Sequence, residues 1–124
     1  MTIFDQLLGR KPKPVMGSPA ANDAVRAQLA SFGDNGGAIR HVLHYAYPAE
    51  GSNPEIRRQI VDELLADGFE VKDAAAGDGL VLEQYRAVVP DDFDEVTAEL
   101  SAWFAERGWD YDGWECAVVQ PARI

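Results

Sequence analysis

The sequence predicts an α+β fold: a four-stranded antiparallel sheet with two helices on one face, in the order βαββαβ, and a helical extension in front. Three observations carry that reading. Apolar residues recur at helical spacing in three stretches, stopped by Gly33, Gly68 and Gly108. Four shorter stretches, rich in β-branched and aromatic residues, fill the intervals and follow the last helix. Handedness and pairing rules leave few ways to close elements that occur in this order.

Taken from the N-terminus, Ile3, Phe4, Leu7 and Leu8 form a short apolar helical stripe ending at Gly9, and Arg10-Lys11-Pro12-Lys13-Pro14 follows as a basic, proline-punctuated linker. Residues 1–17 are therefore expected to be an amphipathic segment and linker, and residues 18–124 a single domain. Ser18-Pro19 supplies a helix cap and a proline at the first helical position; Val25, Leu29 and Phe32 continue the helix. Ala38 to Tyr47 predicts the first strand. Asn53-Pro54 opens the next helix, whose apolar face is Ile56, Ile60, Val61, Leu64 and Leu65. Phe69 to Asp73 alternates in period two, and Leu80 to Val89 gives a third strand ended by Pro90. Asp91 or Asp92 is expected to cap the last helix, with Phe93, Val96, Leu100, Trp103 and Phe104 on its buried side. Tyr111 to Gln120 completes the set as a fourth strand, opened by an Asp112-Gly113 turn. Folded together, these elements give the split-βαβ, ferredoxin-like arrangement.

Composition bounds the function. A chain of 124 residues suits one domain with a single core. No apolar run approaches the roughly 18 residues that span a bilayer, and the start, Met-Thr-Ile-Phe-Asp, lacks the pattern of a secretory signal. The lone Cys116 excludes an intrachain disulfide framework, so a cytoplasmic location without membrane contact is expected. The net charge of −10 is uneven: residues 1–61 carry five acids and seven bases, residues 62–124 sixteen acids and four bases. An acidic half repels phosphate backbones, so direct nucleic-acid binding is not expected, whereas a basic protein segment would be attracted.

Side-chain chemistry points away from catalysis. His41 and His44 are three apart on a strand and face opposite sides, so they cannot share a metal. With one cysteine, no Cys/His zinc set exists, and the scattered acids suggest solvated faces; no metal or cofactor is expected. No serine stands in a nucleophile-elbow pattern, and Cys116 sits in an apolar strand that would raise its pKa. Gly33-x-x-Gly36-Gly37 and Gly77-Asp78-Gly79 lack the Lys-Ser/Thr of a phosphate loop. Tyr45 and Tyr47 on the first strand and Tyr85 on the third would suit base stacking only on a platform surrounded by Arg and Lys, whereas the bases lie mainly in the N-terminal half, at Arg10, Lys11, Lys13, Arg57 and Arg58.

The order of four short motifs is more specific than any one of them. They are Gly33-Asp34 after the first domain helix, Arg40-His41-Val42-x-His44 on the first strand, Gly68-Phe69-Glu70-Val71 before the second, and Tyr111-Asp112-Gly113-Trp114-Glu115 on the last. In these the chain resembles the ribonuclease E inhibitor family, the regulator of ribonuclease activity B proteins, over roughly Ala20 to Val119. The resemblance implies a ferredoxin-like fold and a non-enzymatic role: binding ribonuclease E, or a complex around it, and lowering RNA decay. Gly33, Asp34, His41, His44, Tyr111, Gly113 and Trp114 are its structural signature. Many members of that family carry an acidic C-terminal tail; this chain reads Pro121-Ala122-Arg123-Ile124 there, so if the tail contributes to partner binding in the family, this protein has lost that contribution or uses another surface.

That surface is expected in the acidic half. With the apolar stripe of the last helix buried, Asp94, Glu95, Glu99 and Glu106 are left towards solvent. Trp109, just beyond Gly108, is a candidate exposed aromatic anchor, and Asp110 and Asp112 extend the acidic surface. The expected partner is a basic segment of a ribonuclease E-type enzyme or an associated factor, with homo-oligomer formation left open. The alternative is a ferredoxin-like ligand-binding or oligomerisation module unrelated to RNA decay.

Overall fold

The protein is described by a computed structural model covering residues 17–120. The stripe of Ile3, Phe4, Leu7 and Leu8 and the basic linker lie outside the described residues. Within them run α1 (Pro19–Ser31), β1 (Arg40–Pro48), α2 (Ile56–Ala66), β2 (Glu70–Asp73), β3 (Leu80–Arg86), α3 (Asp92–Ala105) and β4 (Trp109–Cys116). The strands form one sheet in the order β2-β3-β1-β4, and every neighbouring pair is antiparallel.

Period-two alternation decides which side of the sheet is covered. Arg40, Val42, His44 and Ala46 of β1 are buried, while His41, Leu43, Tyr45 and Tyr47 point to the other side and are half-buried. Ala46 joins Leu80, Leu82, Trp109 and Tyr111 of the sheet to Ile60 and Leu64 of α2 and Leu100 and Phe104 of α3. Val42, on the same side, packs with Leu29 of α1, Val88 and Phe93. All three helices of the described residues therefore cover one face, and no described helix covers the other, the open face.

Local chemistry explains most boundaries. The Ser18 hydroxyl accepts from the Ala21 N–H at 3.3 Å and caps α1. Asn53 makes a turn instead of a cap: its side chain accepts from the Glu55 N–H, and α2 starts at Ile56. β3 ends at Arg86, short of the expected Val89, because the Val88 N–H leaves the ladder and donates to the Gly36 carbonyl at 2.9 Å. Asp91 does not cap α3 through its side chain. It holds φ +70° and ψ −75°, and the Asp92 N–H donates to the Pro90 carbonyl at 3.0 Å, forming a tight γ-turn that L-residues adopt only under strain.

The segment expected as a turn before the last strand is instead a bulge inside it. His44 pairs with Trp114 and Ala46 with Tyr111, so Asp112 and Gly113 together oppose the single residue Tyr45. Gly113 takes φ +94°, which glycine adopts without steric cost. The extra residue rephases the strand. Tyr111 and Trp114, three apart, both face the helices, and Glu115 returns to the open side. An uninterrupted strand would have placed one of the two aromatics in solvent.

Candidate protein-binding surface

Polar residues on the covered side are satisfied by one another. His44 is fully buried: its Nε2 lies 2.6 Å from Gln84 Oε1 and its Nδ1 2.7 Å from the Tyr111 hydroxyl. Since Gln84 Oε1 can only accept, Nε2 carries the proton and Nδ1 accepts from Tyr111. Burial lowers the pKa of His44 to about 4, so the imidazole is neutral, and burial raises the Tyr111 phenol. His41, on the opposite face, stacks on Tyr85 with centroids 4.8 Å apart, and its Nε2 sits 2.7 Å from Glu83 Oε1. The two histidines diverge, as strand spacing requires. Among the described residues no group of three His, Cys, Asp or Glu side chains could hold a metal.

The Gly33-Asp34 signature anchors the strand ends. Asp34 and Arg40 form a buried two-pronged ion pair, with Arg40 Nη2 2.8 Å from Asp34 Oδ1 and Nη1 on Oδ2. Asp34 also accepts from the N–H groups of Gly36 and Val119, at 2.9 and 2.8 Å, while Arg40 donates to the Ala117 carbonyl. The Arg40 guanidinium holds the Asp34 carboxyl well below the usual carboxylate range, with the two N–H groups adding to the effect against the cost of burial. Cys116, beside this pair, is half-buried, and burial raises its thiol pKa, as an unreactive thiol requires.

Two of the residues expected on the acidic surface are structural. Asp94 is bound by Asn22 Nδ2 at 2.8 Å and Arg26 Nη1 at 3.0 Å. Burial raises its pKa, but these two partners more than offset that and leave it below the ordinary value. Asn22, fully buried, also donates to Thr97 Oγ1 and accepts from Trp114 Nε1 at 2.7 Å, tying α1 to α3 and β4. Trp109 is 2% exposed and stacks towards Phe104 in the main core, so it is not an exposed anchor. The alternation of β4 puts Trp109 and Tyr111 inward and sends Asp110 and Asp112 out.

The remaining acids fall on two separate surfaces. Glu95, Glu99 and Glu106 are exposed along one stripe of α3, since spacings of four and seven return to the same side of a helix. Asp110 pairs across the sheet with Tyr47, and Glu115 accepts from the Tyr45 hydroxyl at 2.5 Å, so both belong to the open face. That contact, with partial burial, pushes Tyr45 up to about 12. Tyr47 lies over Gly79, where a Cβ would meet its ring at 2.3 Å. Each tyrosine of the open face thus has a partner within the protein, and carboxylates surround them, which is poor ground for stacking nucleic-acid bases.

The sequence reading missed Asn22 and Thr97, though a signal was present. Asn22 is in helical phase with Leu29, and Thr97 with Phe93, Leu100 and Phe104; a polar residue in an apolar stripe marks a buried hydrogen bond.

A scaffold whose buried polar groups on the covered face satisfy one another, while charges that no described residue pairs are displayed outside, suits a protein that works by presenting surfaces to another macromolecule. Residues 20–116 match the family described as Regulator of ribonuclease activity B, and the chain belongs to that family. Membership implies regulation of ribonuclease activity through a protein partner of the ribonuclease type. No curated protein matches the chain. No helix among the described residues is long and apolar enough to cross a membrane.

Proposed function

We propose that this protein is a cytoplasmic, non-enzymatic inhibitor of a ribonuclease E-type endoribonuclease or the degradosome around it. It meets a basic segment of that partner through an acidic surface. The domain that carries this surface is of the ferredoxin-like class, a reading supported by the β2-β3-β1-β4 order and the helices on one side.

The observation that carries the proposal is the α3 stripe. Glu95 and Glu99 are exposed, and none of the described residues forms an ion pair with either. Unpaired surface acids add little to stability but accelerate encounter with a basic partner, an effect that salt screens. The test is association with a purified ribonuclease E-type enzyme, followed together with cleavage of a fluorogenic RNA at low and high salt. The protein is expected to slow cleavage, and replacing Glu95, Glu99 and Glu106 by Gln should slow association about tenfold at low salt and little at high salt. Absence of binding and of inhibition at low salt would reject the proposal. Inhibition that survives in the triple variant but is lost on Asp110→Asn with Glu115→Gln would move the surface to the open sheet face.

A further inference from the structure

Between α2 and α3 the helix layer is open. A groove of about 200 Å³ lies there, lined by Leu64, Phe69, Val96 and Trp103, with Asp67 and Glu99 on its rim. Leu64 is buried in the main core, while Phe69, Val96 and Trp103 pack on that core with part of their surface left in water. Gln84, the remaining polar residue of the lining, is held by His44. An apolar cavity of about 150 Å³ takes a benzene ring, whereas sites for whole small molecules start at about 300 Å³. The groove is sized for one large side chain.

We infer that this groove seats one large apolar side chain carried by the basic segment of the ribonuclease-type partner, between that segment's lysines or arginines. The inference rests on the partner proposed above and adds what holds it after encounter. Three observations favour this occupant. First, Glu99 belongs both to the α3 stripe and to the groove rim, so the apolar seat and the exposed acids form one continuous surface. Second, Asp67 brings a carboxylate to the rim from the other helix. It is the C-cap of α2, where the helix dipole disfavours negative charge. Arg58 and Arg107 pair with Asp62 and Glu63 of the same helix, and no described residue pairs with Asp67. Stability does not account for an acid in that place, whereas a cation arriving from outside does. No lysine or arginine lines the groove, so basic residues on either side of an apolar one would meet acids on both rims. Third, a second copy of this chain suits the groove poorly, because its net charge of −10 would bring acid against acid.

Association and dissociation rates of the full chain with a purified ribonuclease E-type enzyme separate the two contributions. Charges act mainly on encounter, and an apolar anchor acts mainly on residence. Val96→Phe fills the groove with a ring of its own; Val96→Met replaces it if that variant loses the parent's circular dichroism spectrum. Filling is expected to speed dissociation about tenfold or more, with association and its salt dependence little changed. Asp67→Asn, on the helix across from the stripe, is expected to slow association about two- to threefold at low salt and little at high salt. An unchanged dissociation rate in the filled variant, while the stripe variant of Glu95, Glu99 and Glu106 still slows association, overturns the inference and leaves the proposed function standing. Unchanged association in Asp67→Asn at low salt overturns the basic occupant in the same way. No binding by the parent overturns both readings. Self-association of the parent that the filled variant loses assigns the groove to a second copy of the chain, which also overturns the inference.

Discussion

The two faces of the sheet use polar residues in opposite ways. On the covered face, Asp34 with Arg40, His44 with Gln84 and Tyr111, and Asn22 with Thr97, Asp94 and Trp114 are buried and mutually bonded. On the open face, Tyr45 meets Glu115 in solvent, and Glu83, itself buried, is reached by an exposed Lys72 and a half-buried His41, so water screens each contact from one side. Net charge therefore does not say which acids are available to a partner. Asp94 and Glu95 are neighbours in sequence, yet one is held by two partners from α1 and the other faces water.

The largest difference between the faces is expected at Asp34. Asp34→Ala strands the buried Arg40 guanidinium and frees the N–H groups of Gly36 and Val119, so it should cost about 3–5 kcal/mol. Chemical denaturation measures this directly. A loss under 1 kcal/mol would mean that water enters and solvates Arg40, and the covered face would then be less sealed than its burial indicates.

Next in size is the pH response of His44. Its pKa is lowered from 6.5 to about 4 in the folded state, so between these values the unfolded chain binds a proton that the folded chain excludes. The stabilisation is fully present above about pH 6.5 and is lost as pH falls towards 4. Its full extent is about 3 kcal/mol. Stability followed from pH 7 to pH 5, above the range of ordinary carboxylates, should fall in the parent and stay flatter in His44→Asn. Equal slopes would place the titration elsewhere.

How much of this was legible follows from what each feature depends on. Helix and strand order could be read because it rests on local periodicity, and the opposite facing of His41 and His44 follows from strand geometry alone. The family signature was legible as a pattern but not as a mechanism. Asp34 and Arg40 look like a loop acid and a strand base until the fold brings them together with Ala117 and Val119, about eighty residues on. The bulge was misread because Asp-Gly favours a turn locally, whereas pairing with β1 decides that Gly113 stays within the strand. Asp94 and Trp109 were misplaced for a related reason. Position on a helix wheel tells which residues face the helix's own domain, but not that α1 lies against Asp94 or that β4 begins at Trp109.

A smaller effect is expected at Asp94 itself. Asp94→Ala leaves Arg26 on Asp23 and the Val88 carbonyl and leaves one Asn22 N–H without its acceptor, in a partly buried place. The cost should be about 1–3 kcal/mol. Thermal unfolding would show it as a drop of several degrees. No drop would return Asp94 to the exposed set.

The smallest effect on stability belongs to the α3 stripe, and its smallness is the point of the comparison. Glu95, Glu99 and Glu106 are exposed; among the described residues the one ion contact they make is from Glu106 to Arg107, at 3.7 Å. Arg107 is not free to pull on it. Its guanidinium lies 3.8 Å over the Trp103 ring and 3.2 Å from Glu63, so it serves the α2–α3 seam first. Glu95 lies in the first turn of α3, where negative charge is favoured by the helix dipole, so its neutralisation should cost a few tenths of a kcal/mol at most. Removing mutual repulsion along the stripe offsets part of that. Glu95→Gln, Glu99→Gln and Glu106→Gln together should leave stability within about 0.5 kcal/mol of the parent. Denaturation at low salt, where such terms are least screened, is the stringent measurement. A loss near that of Asp94→Ala would show that the stripe is bonded within the chain, and then it could not also be the surface offered to a partner.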